Sequence, residues 1–305
     1  MASLAAPTVS LPRKPRARSH PLRPGRIGLH AFLIVMSALW IFPLLWAVYT
    51  SLRPIGDTIK HGFVSFPGTL NFDNYINAWN QADLTRFYIN SLIVTIPAVI
   101  LTLLVASMVA FAVSRFKWKF NLFILLMFVA GNLLPPQVII VPLYWIYLAI
   151  PLPGNLTDNG LLLYDQYTGV TLIHVVFQLG FSIFVLSSYM RTLSQDIIDS
   201  ALVDGASVFR IWWNVILPLC RPALAALATL LFTWVYNDFF WALVLMRTGD
   251  KRPITSALNN LQGEFFINYN LLAAAAMLAA IPTMIVFAAL QRQFIRGLTL
   301  GATKG

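Results

Sequence analysis

Long stretches of this chain contain no charged side chain, and nothing else in the sequence limits its possible folds as strongly. The stretches are residues 27–52, 87–114, 120–157, 166–190, 222–237 (apolar on to Met246 apart from Asp238) and 265–291. A helix needs about 20 mostly apolar residues to cross roughly 30 Å of hydrocarbon. The pattern predicts an all-α integral membrane protein with six transmembrane helices, roughly 27–52, 88–114, one within 120–157, 169–190, 223–246 and 271–291. Composition points the same way: 58% of residues are hydrophobic and only 10% charged. A soluble domain of 305 residues would need far more charge to cover its surface.

The net charge of +10 is distributed by topology. With the N-terminus inside, segments 1–26, 115–119, 191–221 and 292–304 carry 15 of the 21 Lys and Arg, whereas seven of the 11 acids fall outside. The positive-inside rule then places both termini in the cytoplasm. Anionic lipid explains the basic residues and nucleic acid is not needed as a partner. Residues 1–26 hold five prolines and six basic residues and are expected to form a disordered basic cytoplasmic tail. The apolar run that follows is longer than the h-region of a cleaved signal peptide. Cys220 is the sole cysteine, so no disulfide or cysteine-based metal site can form within the chain.

Between spans, 54–79 is rich in Pro and Gly and ends in an aromatic helix in which Asn71 is expected to be the N-cap and Phe72, Tyr75, Ile76 and Trp79 to share one face. In the third span, Leu134-Pro135-Pro136-Gln137 removes backbone donors and predicts a kink or break. The loop from Arg191 to Pro222 is strongly patterned. Ser194 is placed to cap a helix to Asp204, with Leu193, Ile197, Ile198, Ala201 and Leu202 in one apolar stripe. Gly205 sits where a helix closes in the left-handed region. Ser207 begins a second helix, with Val208, Ile211, Trp212 and Val215 in a stripe, that stops at Pro218. The first helix carries Asp196, Asp199 and Asp204, which anionic lipid would repel, so a groove on a partner protein suits it better.

Asp199-Ser-Ala-Leu-Val-Asp204-Gly205-Ala206-Ser207, followed by Ile216-Leu217-Pro218 and Pro222, resembles the "EAA" signature of binding-protein-dependent ABC importer permeases. Residues 27–305 as a whole resemble the maltose-type, MalG-like carbohydrate permeases. The supporting motifs are Ser51-Leu52-Arg53, Asn90-Ser91-Leu92, Ala110 to Phe116, Trp234 to Phe239, and Gln291 to Gly305. Asp199 stands where the family has glutamate, and Ser200 where it has alanine.

The resemblance implies a type I ABC importer transmembrane domain with a cytoplasmic coupling helix in loop 191–222. A homologous second permease subunit would complete the pore. Two ATPase subunits, which alone hold ATP and magnesium, would grip the loop and receive the C-terminal tail 292–305. An extracytoplasmic sugar-binding protein would meet the segment Arg247 to Phe266. Asp199, Ala201, Asp204, Gly205, Ala206, Ser207 and Pro218 would then carry the coupling to ATP hydrolysis.

The chain has no G-x-x-x-x-G-K-[ST] loop for phosphate, no H-E-x-x-H and no nucleophile with a nearby base, so no catalytic site, cofactor or metal is expected in it. Sugars are held by aromatic faces and hydroxyl-binding polar groups. The candidates by chemistry are Trp234, Asn237, Asp238 and Trp241, then Asn132, Gln137, His174 and Gln178; the Asn237-Asp238 pair is equally suited to tying helices together. A stand-alone secondary transporter or channel is the rival reading. It would call for ion-coupling carboxylates in several spans and often internal repeats, and this sequence has one intramembrane acid. The resemblance leans toward cellobiose or other β-glucosides as cargo.

Overall fold

The computed structural model describes residues 24–66, 68–81, 83–116, 118–132, 135–153, 162–261 and 267–302. Most of the expected basic tail lies outside this set, as do Lys117, Leu134, the end of the Arg247 to Phe266 segment and the side chains of the C-terminal tail beyond Arg292.

All described elements are helical apart from one isolated bridge, Pro151 to Leu162. They are α1 (Pro24–Leu52), α2 (Ile55–His61), α3 (Asp73–Gln81), α4 (Leu84–Arg115), α5 (Asn121–Gly131), α6 (Ile140–Ala149, entered by a 3₁₀ turn Pro136–Ile139) and α7 (Tyr167–Met190). They continue with α8 (Asp196–Val203), α9 (Val208–Leu219), α10 (Arg221–Tyr236), α11 (Phe240–Leu245), α12 (Ile254–Ala257) and α13 (Tyr269–Ala302). The chain divides into two compact units, residues 1–46 and 47–305. The described part of the first is the amino-terminal portion of α1, whose apolar side chains from Ile27 to Leu45 are exposed, as a lipid-facing helix requires.

Four described helices are long and apolar enough to cross a membrane: Gly25–Leu52, Leu84–Arg115, Tyr167–Met190 and Tyr269–Arg292. Two bent pairs bring the count to six if each is one span, Asn121–Gly131 with Pro136–Ala149 and Val208–Leu219 with Arg221–Tyr236. The third expected span is therefore broken: its halves meet at 88°. Pro135 and Pro136 lack the N–H groups that a continuous helix would use. The fifth expected span is also not one helix. It is α10 and α11 separated at Asn237 to Phe239, and the 16 residues of α10 extend only about 24 Å.

In the second unit α4 lies along α7, and α10 packs on both α4 and α13. Small residues let these backbones approach: Ala106 and Ala110 on α4, Ala223 on α10, and Ala274 and Ala275 on α13 are buried. The α5–α7 approach depends on Gly180, where a Cβ would lie 2.2 Å from the Phe128 carbonyl oxygen and 2.0 Å from Asn132 Nδ2.

Beyond α1, the chain is knotted around Arg53, only 1% exposed. Its guanidinium meets Asp57 Oδ2 at 2.5 Å and donates to Gly62 O at 2.9 Å and Ser65 Oγ at 2.6 Å. That pairing, helped by the Gly68 amide and His61, holds the Asp57 carboxyl below its ordinary range. α3 carries the expected aromatic face, turned outward. Its buried face is Asn74 and Ala78, turned toward α13, while Phe72, Ile76 and Trp79 are exposed. Asn74 Nδ2 donates to the carbonyls of Ser51 (2.9 Å) and Arg53 (2.8 Å), which accounts for a buried amide here.

Candidate functional site

The loop between α7 and α10 forms a helix, a tight turn and a second helix. Ser194 Oγ accepts from the Asp196 amide at 3.2 Å, so serine does cap the first amides, although α8 itself begins at Asp196. α8 closes in a Schellman turn. The Ala206 amide donates to Ala201 O and the Gly205 amide to Leu202 O, both at 3.0 Å, with Gly205 at φ +75°. Ala201 and Ala206 are the apolar pair that accompanies this turn, half-buried against one core cluster. Ser207 then caps α9, accepting from the Arg210 amide at 3.3 Å. A π-turn at Trp212–Ile216 leads to Pro218, and α9 meets α10 at 76°.

The apolar stripe is not single, as the spacing suggested. Ile198 (4% exposed) is buried in the cluster formed by α4, α7 and α9, with Leu193 and Ala201 packed beside it. The helix thus does bury one edge against its own chain. Ile197, Leu202, Val203, Val208, Phe209 and Trp213 remain exposed, with Asp196, Asp199 and Asp204 exposed among them. The result is a surface of apolar side chains and carboxylates with core contacts beneath it. Asp199, Asp204, Gly205 and Ser207 lie on its exposed side; Ala201, Ala206 and Pro218 are half-buried supports.

Two side chains that sequence reasoning did not weigh as site residues hold this surface. Arg115, at the end of α4, donates to Met190 O, to Leu193 O at 3.0 Å and to Gln195 Oε1 at 3.1 Å. Gln195 Nε2 in turn donates to Asp199 Oδ1 at 3.1 Å. The i,i+4 spacing of Gln195 and Asp199 is a signal the sequence offered; the reach of Arg115 from 80 residues away is not.

The cargo candidates are only partly brought together. His174 Nε2 lies 3.6 Å from Asp238 Oδ2, and both are largely buried. The same Asp238 oxygen accepts from the Trp241 and Ala242 amides at 3.1 and 3.3 Å, making it the N-terminal cap of α11, and Thr255 donates to its carbonyl. Trp241 is buried against Phe177, and Trp234 packs edge-on against Phe181. Gln178 is half-buried one turn beyond His174, and Asn132 sits against α7 at Gly180. Asn237 folds back on Thr233 O at 2.8 Å, and Gln137 is exposed at the α5–α6 break.

The opposite end of α4 organises a second loop. Asn90 Nδ2 donates to the carbonyls of Asp250 (2.8 Å) and Arg252 (3.1 Å), and Ser91 Oγ accepts from the Ile254 amide at 2.8 Å. Asp165, at φ +61°, accepts from the Arg247 and Thr248 amides at 2.9 and 3.0 Å. The sequence gives no warning of this knot beyond the tolerance of Asp for left-handed backbone.

Helices long and apolar enough to cross a membrane, with a capped, acidic turn between two of them, define a multi-pass membrane protein. The chain belongs to the family of binding-protein-dependent transport system inner membrane components, whose model matches residues 98–300, about two thirds of its length. It is 32% identical over 274 residues to the diacetylchitobiose uptake system permease protein NgcG of Streptomyces coelicolor, covering 89% of this chain and 87% of that one. It is 31% identical over 285 residues to the arabinooligosaccharides transport system permease protein AraQ of Bacillus subtilis, covering 92% and 96%. Among solved structures, a bacterial ABC transporter involved in the import of the acidic polysaccharide alginate matches with a TM-score of 0.74 at 21% identity, over 93% of this chain and 100% of that chain.

Proposed function

We propose that this chain forms half of the transmembrane pathway of an ATP-driven importer for a di- or oligosaccharide. A homologous permease supplies the other half, an extracytoplasmic binding protein delivers the sugar, and two ATPase subunits bind the α8–α9 turn from the cytoplasm. The observation that carries this reading is the turn itself, whose exposed Ile197, Leu202, Val203 and Phe209 stand among three carboxylates. An apolar patch rimmed by acid suits a protein groove and is repelled by anionic lipid. The turn-bearing end of α4 and α7 is then cytoplasmic, as are both termini. The loop held by Asn90 and Asp165 faces outward, toward the binding protein.

Relatives named for diacetylchitobiose, arabinooligosaccharides and α-glucosides support a sugar as cargo. The rival reading, a carrier driven by an ion gradient, needs a carboxylate available for an ion; Asp238 is occupied capping α11. Cargo is tested by calorimetry on the binding protein encoded with this chain, titrated with cellobiose, diacetylchitobiose and arabinotriose. Binding of a di- or oligosaccharide is expected. Binding of an amino acid, a metal ion or phosphate with no response to any sugar would overturn the assignment.

A further inference from the structure

We infer that Arg115 and Gln195 are positioning residues that lock the docking turn to the ends of α4 and α7, so that the turn and both spans move as one body. The inference rests on the coupling role proposed above. Arg115 leaves the last turn of α4 and donates one terminal nitrogen to the Met190 and Leu193 carbonyls, where α7 ends. Carbonyls at a helix C-terminus lack partners within the helix, and a cation there also favours the helix dipole. The other terminal nitrogen donates to Gln195 Oε1 at 3.1 Å.

Gln195 faces Asp199 one turn along and donates Nε2 to Oδ1, again at 3.1 Å. The orientation of this amide follows from chemistry. A guanidinium only donates and a carboxylate only accepts, so oxygen must face Arg115 and nitrogen must face Asp199. The amide is thus an adaptor between a cation on one span and the acid at the head of the signature. The chain of bonds runs along a groove of about 650 Å³ lined by Val113, Arg115, Asn121, Arg191, Gln195 and Asp199, between the end of α4 and the turn. Ile198, from the same turn of α8, is buried in the core under it. Core packing fixes the height of the turn; the relay fixes its direction. With a push on Asp199 passing through two directional bonds to α4 and α7, ATP-driven motion reaches the spans without being lost in the loop.

The test uses the complete complex with its ATPase subunits in proteoliposomes, with cellobiose and diacetylchitobiose as probes delivered by its binding protein. Gln195→Leu keeps the side chain's bulk and removes both bonds. It is expected to leave ATPase subunits bound and to lower sugar imported per ATP roughly tenfold, the scale of one charge-assisted hydrogen bond. Gln195→Glu, which sets two carboxylates together, is expected to do the same. ATPase turnover and subunit retention are expected to stay at the wild-type level in both variants, so that only the ratio of sugar to ATP moves. A wild-type ratio in Gln195→Leu would overturn the relay. Loss of the ATPase subunits from Gln195→Leu would also overturn it, because Gln195 would then be part of the docked surface. Should the unaltered chain itself not retain an ATPase, the proposed function fails, which is a separate result.

Discussion

At Gly205 the backbone has φ +75°, yet no atom lies within 4 Å of where a Cβ would stand. The turn therefore excludes most residues by backbone strain and not by crowding. Gly205→Asn, which tolerates the left-handed region, is expected to keep most uptake. Gly205→Val costs roughly 1–3 kcal/mol at the turn and should abolish transport while membrane insertion, read by protease accessibility, stays normal. Equal uptake by both variants would remove the conformational argument. A second residue-scale prediction concerns Asp57. Arg53 depresses its folded pKa, so its stabilising contribution is present above the ordinary value of 3.8 and is lost as pH falls through the lower folded value. Asp57→Asn should therefore melt earlier than the parent at neutral pH, and the two curves should converge on acidification. A pH-independent gap would contradict the pairing.

Among elements, the contact of α5 with α7 depends on the missing side chain of Gly180. A methyl group there would meet the Phe128 carbonyl at 2.2 Å, backbone that cannot rotate away. Gly180→Ala should force α5 outward at about 1–3 kcal/mol, seen as a lower melting temperature in detergent; unchanged melting would mean that α5 is free to shift. α11 depends on Asp238. Asparagine can cap equally well, so Asp238→Asn should leave the apparent KM for sugar unchanged, whereas Asp238→Ala should destabilise by about 1 kcal/mol. A large KM rise in Asp238→Asn alone would return that carboxylate to the sugar path. The alternative that Asn237-Asp238 ties helices was already present in the sequence. Its partner His174 was not, because a contact between α7 and α11 has no periodicity to announce it.

For the molecule as a whole, length and polarity made the long helices legible. The windows holding α1, α4, α7 and α13 carry enough apolar residues that no tertiary contact can redirect them. The fifth span was read as continuous from hydropathy, which counts side chains and does not register where one of them caps a new helix. Pro135 and Pro136 forecast a kink or break in the third span, and the break is there; Asp238, by capping, started a new helix in the fifth. The docking turn was legible because Ser194, Gly205 and Ser207 are local signals. Ile198 sinking into the core and Arg115 clamping Gln195 are long-range and were not. The claim that loop 191–222 couples this chain to a separate energy source is tested most directly by purifying the chain with its partners and measuring sugar uptake in sealed vesicles. The account predicts ATPase subunits retained through the turn, and uptake that needs ATP and is stopped by vanadate. Uptake by this chain alone, driven by a proton gradient and indifferent to vanadate, would contradict it.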